Sequence, residues 1–379
     1  MKSSYYDLFG SCLVEIRGEG GRSVEQVREM YSHFAVSEPD REPDLVYEIT
    51  TQQPDPDSVL GKPNEHYGRD GDRFIVRNSG SNFFTVNEDW NHITASPGQE
   101  PFYVVYLIEF EARRQLAKEG YALIHASGVQ IDGRTHLFPA WRSAGKTNTL
   151  LSLLQAGGNY LSDDRLWVNA DGSALGYPLS VNMQPHNLES FPGASDIETE
   201  ETMRTRVSGL LDENVEKSRS IVDKGLYFLN KEFLKQGGRE FFSVDELIPQ
   251  SEFVEEAEID TAVVLRAAPK ASRISCEEIA SDDASIETTT ISHYEWNGRI
   301  EEYFRAFDAL FPEHGGKKVE QFEQVIDEEE RIFAELFDDI GTYRAFIPRQ
   351  RNWSETGLDR DLVETVSGLE EPPEASQSS

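Results

Sequence analysis

Cysteine is almost absent: Cys12 and Cys276 are the two in 379 residues. They lie far apart and match no metal or redox spacing, which fits a reducing cytoplasm. Long apolar runs are missing too. None approaches the roughly 18 residues of a membrane-spanning helix, and the opening "MKSSYYDLFG" has no apolar signal core. The expectation is a soluble, cytoplasmic chain with no membrane partner. Lysine is scarce, 11 of 36 basic residues, against 69 acidic ones and a net charge of −33. That balance argues against a general nucleic-acid binder, which needs a basic face for phosphates. It also disfavours electrostatic docking on anionic lipid. Acid surplus, few Lys and low apolar content suit a halophilic protein, because in molar salt a Debye length of about 3 Å screens the self-repulsion. An acidic protein of ordinary cytosol is the plainer alternative.

What is present should fold. Hydrophobic residues make up 38% with 21 Phe and 14 Tyr, and the length suffices for two or three modest domains. Residues 1–98 read as a small N-terminal α+β domain. Its strands are expected at 12–17, 45–50, 73–78 and 82–86, with a helix over 23–34. The spacing predicts a helix over 100–120, strands at 121–126, 128–131 and 135–138 around an Asp132-Gly133 turn, and a helix from about 146. A short strand then runs into Asp163-Asp164, and 165–177 reads as a hairpin. The stretch 193–221 reads as a polar loop or linker, and 222–312 as strand-like runs such as "KGLYFL" and "DTAVVLRA". A nucleotide-binding core would therefore span 99–312. From 313 to 379 an amphipathic helix over 317–337, with Val319, Phe322, Ile326, Phe333 and Phe337 on one side, precedes a disordered acidic tail.

The chemistry concentrates in "LFPAWRSAGKTNTLLSLL". From Ala140 to Thr147 it fits the loose phosphate-loop pattern A-x-x-x-x-G-K-T. Such loops bind phosphate through successive backbone N–H groups at a helix N-terminus, with a Lys on the β/γ-phosphates and a Thr hydroxyl on Mg²⁺. Lys146 and Thr147 suit those parts, and Gly145 stands where the backbone must approach closely. Ala140 and Ala144 are small enough for a tight curl. Trp141, Arg142 and Ser143 fill places that usually hold glycine and serine. Asp163 and Asp164 follow 17 and 18 residues after Lys146. One carboxylate of such a pair can hold Mg²⁺ while the other accepts the proton of an attacking hydroxyl. Taken alone, the pair reads equally well as a solvated turn, and His125 as an ordinary strand residue.

Together, "LIHASGVQIDGRTHLFPAWRSAGKTNTLLSLLQAGGNYLSDD" resembles the C-terminal domain of HPr kinase/phosphorylase, and more closely the HPr-kinase-like proteins outside sugar-transport regulation. The shared order is a His before a Gly, a hairpin with an Asp-Gly turn, the phosphate loop, a Leu-rich helix ending in Gly, and a strand closing on Asp-Asp. The resemblance covers about 121–190. It implies an α/β fold with a twisted sheet and flanking helices, related to phosphoenolpyruvate carboxykinase. It also implies ATP and Mg²⁺ as cofactors and transfer to a hydroxyl on a protein, a peptide or a small molecule. By resemblance, Ala140, Ser143, Ala144, Gly145, Lys146 and Thr147 hold the nucleotide. Asp163 is the general base, His125 lines the site, and Thr147, Asp164 and Glu189 are metal ligands. The family's Arg-Gly segment after Glu189 is absent here, so the resemblance stops short of phosphorylase activity and of HPr as acceptor. A homo-oligomer stays open. A kinase is the leading expectation. The alternative is a non-catalytic nucleotide-binding or partner-interaction module with a degenerate phosphate loop.

Overall fold

The computed structural model describes residues 3–20, 22–179, 181–183, 187, 190–191, 240–350 and 352–369. Glu189, the polar stretch 193–221, "KGLYFL" and the closing "EEPPEASQSS" lie outside the described residues. The chain forms two compact units, Met1–Leu123 with Ser292–Ala334, and Ile124–Ile291 with Glu335–Ser379. Among the described residues, no helix is long and apolar enough to cross a membrane.

In the first unit β1 (Ser3–Leu8), β2 (Cys12–Arg17), β3 (Ala35–Val36), β4 (Leu45–Ile49), β5 (Ser58–Lys62), β6 (Glu65–Asp70), β7 (Arg73–Ser79), β8 (Asn82–Val86) and β9 (His92–Ala95) build one sheet. Its order is β3-β1-β2-β4-β9-β8-β7-β6-β5. The four strands read from the sequence are β2, β4, β7 and β8. Strand β5 escapes that reading because all five of its residues are exposed, leaving no alternation of buried and exposed positions to detect. Helix α1 (Arg22–Met30) buries Val24 and Val27, and α2 (Pro101–Leu116) is buried on nearly every side from Val104 to Arg113.

Strand β10 (Tyr121–Ile124) carries the chain from the first unit to the second. There β11 (Ala126–Ile131) and β12 (Arg134–Pro139) pair as a hairpin whose turn residues Asp132 and Gly133 have φ of 53° and 77°. Positive φ at both positions is the type I′ geometry that matches strand twist. Next come α3 (Lys146–Gln155), β13 (Asn159–Ser162), β14 (Leu166–Asn169), β15 (Ser173–Leu175), β16 (Val181–Met183), β17 (Glu240–Phe242), α4 (Val244–Leu247), β18 (Glu256–Glu258), β19 (Thr261–Ala268), β20 (Ser275–Glu278) and α5 (Ser281–Ser292). Helix α6 (Gly298–Leu310) lies in the first unit, and α7 (Lys317–Asp339) runs from the first into the second. Strand β21 (Gly341–Pro348) and helices α8 (Trp353–Thr356) and α9 (Leu358–Ser367) complete the second.

The main sheet of the second unit has the order β13-β11-β12-β19-β21-β20. Strands β12, β19 and β21 run parallel, and antiparallel pairings add β11, β13 and β20. Phe138 of β12, Val263 and Leu265 of β19, Leu150, Leu151 and Leu154 of α3, and Leu358, Leu362 and Val366 of α9 share one buried cluster. Strand β12 therefore delivers the chain to the loop from Ala140 to Gly145 from the middle of the sheet, and α3 leaves it packed on that core. The structure is mixed α/β.

Two stretches depart from the sequence reading: residues 341–367, where it placed no strand or helix, form β21, α8 and α9, and a second stretch changes class. Residues 281–310, read as part of a strand-like run, form α5 and α6. Ile300, Tyr303, Phe304, Phe307 and Leu310 of α6 are buried at helical spacing, a period of 3.6 that outweighs their β propensity. The aromatic excess gathers here: Phe304 packs on Trp90 at 4.5 Å and on Phe110 at 4.8 Å between ring centroids.

His136 of β12 is buried, with Nδ1 2.6 Å from Thr261 Oγ1. Burial, then the charge of Arg134, lowers its pKa from 6.5 to about 4 against opposing pulls from Asp260 and Asp132. Between those values the unfolded chain binds a proton that the folded chain refuses. The stability from neutral His136 is thus full above about pH 6.5 and is lost as pH falls towards 4. Taking 1.4 kcal/mol per pKa unit, this one group should remove about 2 kcal/mol between pH 8 and pH 5. Denaturant unfolding at both pH values should show a smaller loss in His136→Gln; an identical loss would contradict the assignment.

Candidate active site

Ala140, fully buried, extends β12 by a parallel bridge to Leu265. The chain then turns, with the Ala144 N–H donating to Trp141 O at 3.0 Å. Ser143 and Gly145 both adopt left-handed backbone, φ 62° and 104°. Trp141, Arg142 and Ser143 are exposed, whereas Ala144 is buried. The loop thus curls with Trp141, Arg142 and Ser143 outward and Ala140 and Ala144 inward. Lys146 opens α3, and no side chain caps the helix. The N–H groups of a first helical turn have no carbonyl four residues back, which suits them to an outside acceptor.

Gly145 is the position where glycine is required. A Cβ there would lie 3.1 Å from Ile347 Cγ2 and 3.5 Å from Trp353 Cζ2, on backbone at φ 104°. Gly145→Ala should destabilise the protein by roughly 1–3 kcal/mol. Its denaturant midpoint checks this, and a midpoint equal to wild type would mean that the loop is not held in this form.

Three sequence-distant residues converge beside the loop. Lys146 Nζ lies 2.8 Å from Asp164 Oδ1, 3.1 Å from Asp164 O and 3.0 Å from His125 Nε2. An ammonium only donates, so His125 Nε2 accepts and the ring carries its proton on Nδ1. Burial, then the Lys146 charge, brings the His125 pKa down to about 3, with Arg165 and Arg142 adding to the effect. His125 is therefore a neutral acceptor for Lys146 at ordinary pH. Asp164, between β13 and β14, is bound from its other side by Arg165 Nη1 at 2.9 Å. Burial raises its pKa, but the Lys146 charge, followed by Arg165, outweighs burial and holds the carboxyl well below the usual range. His125 would add to that only when protonated.

Asp163 lies beside this cluster and is buried, its backbone N–H donating to the Tyr160 hydroxyl at 3.1 Å. Thr147 is half-buried in the first turn of α3. The structure thus brings His125, Lys146 and Asp164 into contact and places Thr147 and Asp163 next to them in the chain. Among the described residues, no group of three or more His, Cys, Asp or Glu is poised to hold a metal ion. Mg²⁺ does not demand one, because it takes one or two carboxylates together with phosphate and water.

Two features escape the sequence reading. Arg165, which anchors Asp164 and lies 5.7 Å from the Tyr177 ring centroid, directly follows the acidic pair, and the need of two adjacent carboxylates for a second cation could have flagged it. Trp353 and Ile347, which back Gly145, stand about 200 residues away from it with no local signal. Electrostatically the cluster gathers Arg142, Lys146 and Arg165 within reach of His125 in a chain of net charge −33. The Asp164 carboxylate stands against them, paired with both Lys146 and Arg165.

No protein-family model matches the chain, and no curated protein does. Among solved structures, the HPr(Ser) kinase/phosphatase from Coxiella burnetii aligns over 42% of this chain and 78% of its own, at 12% identity and a TM-score of 0.21. At that score the alignment carries no weight for fold or function.

Proposed function

We propose that the second unit is an ATP- and Mg²⁺-dependent kinase that transfers a phosphoryl group to a hydroxyl of a protein, a peptide or a small molecule. The observation behind this reading is the meeting of Lys146, first residue of an uncapped helix, with His125 and Asp164 from two other elements. The N–H groups of the first helical turn, together with Lys146, suit the phosphates. The Thr147 hydroxyl and an Asp164 oxygen are the hard ligands that Mg²⁺ takes beside a nucleotide. When bound, Mg–ATP supplies the phosphoryl group and the metal charge that offsets negative charge in transfer.

The two carboxylates divide the remaining work. Asp164, pinned as an anion by Lys146 and Arg165, is a weak proton acceptor and serves as the charge anchor. Asp163 is then the group that takes the proton of the acceptor hydroxyl. His125 keeps Lys146 extended towards Asp164. The second reading, a nucleotide-binding or partner-interaction module without catalysis, is favoured by one fact: both oxygens of Asp164 are already engaged.

Incubation with γ-labelled Mg–ATP and a panel of Ser/Thr peptides, proteins and polyols separates the two. Label on an acceptor supports the kinase. Nucleotide binding with neither label transfer nor ADP formation leaves the module.

A further inference from the structure

The loop from Trp141 to Ala144 has no glycine, and Ser143 nevertheless holds a left-handed backbone. Such a conformation persists only where the surroundings over-determine it. Two residues further on, Gly145 is backed by side chains from the far end of the chain. Trp353, first residue of α8 and 2% exposed, lies against Gly145 together with Ile347 of β21. Its backbone N–H donates to Ser190 Oγ at 3.3 Å. Ser190, 1% exposed, also accepts from Asn148 Nδ2 at 3.5 Å, and Asn148 Oδ1 accepts from Asn187 Nδ2 at 2.6 Å. Asn148 is the third residue of α3, one after Thr147. A buried chain of contacts therefore runs from the underside of the loop through Trp353 and Ser190 into the first turn of the helix that follows it. α8 is itself fixed at its start by the Asn352 side chain, which accepts from the Glu355 N–H.

We propose that Trp353 is a positioning residue for nucleotide binding. Its indole and its backbone bond to Ser190 set the curl that glycines set in ordinary phosphate loops, so the N–H groups of the first helical turn are aimed before the phosphates arrive. This rests on the phosphate-binding reading of the loop. Small misplacements of a binding constellation cost affinity steeply, and a loop that loses its backing opens more often.

The test is amide hydrogen exchange at Ser143–Thr147 without nucleotide, paired with Mg–ATP affinity, in the full chain. In Trp353→Leu, exchange should speed up and affinity should fall, each about tenfold or more. Exchange in β19 should stay near wild type, which separates loss of positioning from general loosening. Trp353→Phe, which keeps an aromatic ring on Gly145, should stay within about threefold of wild type on both measures. A folded Trp353→Leu with wild-type exchange at Ser143–Thr147 overturns the proposal. If that variant does not fold, Ser190→Ala decides: faster loop exchange supports the brace, and unchanged exchange overturns it. Wild-type protein that fails to bind Mg–ATP would sink the phosphate-binding reading instead, while the exchange measurement still judges the brace.

Discussion

Lys146→Ala should weaken Mg–ATP binding about 100-fold or more and take phosphoryl transfer to background, the scale of losing one preorganised donor to a charged group. Lys146 is the cation that the site aims: the side chain is 12% exposed, and His125 and Asp164 fix its Nζ. In molar salt, long-range attraction between exposed charges is screened within about 3 Å, but a direct contact from a largely buried ammonium is screened far less. The effect should therefore survive in molar KCl. The variant also removes the larger of the two cations acting on Asp164, so that carboxyl should titrate at higher pH, which NMR on the labelled side chain would read. Calorimetric titration of variant and wild type checks the affinity. Equal affinities would mean that the loop does not hold the phosphates.

Asp163→Asn should reduce turnover by roughly 10²–10⁴, the usual worth of general base catalysis, with Mg–ATP affinity within about threefold of wild type. The substitution keeps the shape of a buried side chain and removes its ability to take a proton. Asp164→Asn should behave differently. It leaves Lys146 and Arg165, with side chains 12% and 6% exposed, without their shared anion, so stability and affinity should fall together. Steady-state kinetics at saturating nucleotide, with denaturant midpoints for both variants, tell the two apart. Full turnover in Asp163→Asn would remove it from the chemistry.

The sequence makes the local parts of this site readable and hides the distant ones. The Asp132-Gly133 turn, the strand into Ala140 and the Leu-rich helix from Lys146 each carry their own periodicity or turn chemistry, and they stand where expected. The meeting of Lys146 with Asp164 could be anticipated only through a family-like order of motifs, because nothing local links residues 18 positions apart across a helix and a strand. Strand β21 was not legible at all. "GTYRAFIP" earns its place by pairing in parallel with β19 along its full length, and parallel partners are joined by long connections that leave no short-range mark. Ile347 and Trp353 arrive behind Gly145 by that same pairing, so the backing of the loop was invisible for the same reason. Helices α5 and α6 were hidden differently: runs of Thr, Ile, Tyr and Phe favour strands locally, and burial on one helical face overrode that preference.

The central claim is that the loop from Ala140 to Thr147 holds the phosphates of a nucleotide. Isothermal titration of the wild-type protein with Mg–ATP in molar KCl tests it most directly. Saturable binding at one site with micromolar affinity is the predicted result; no saturable binding up to millimolar nucleotide would contradict it.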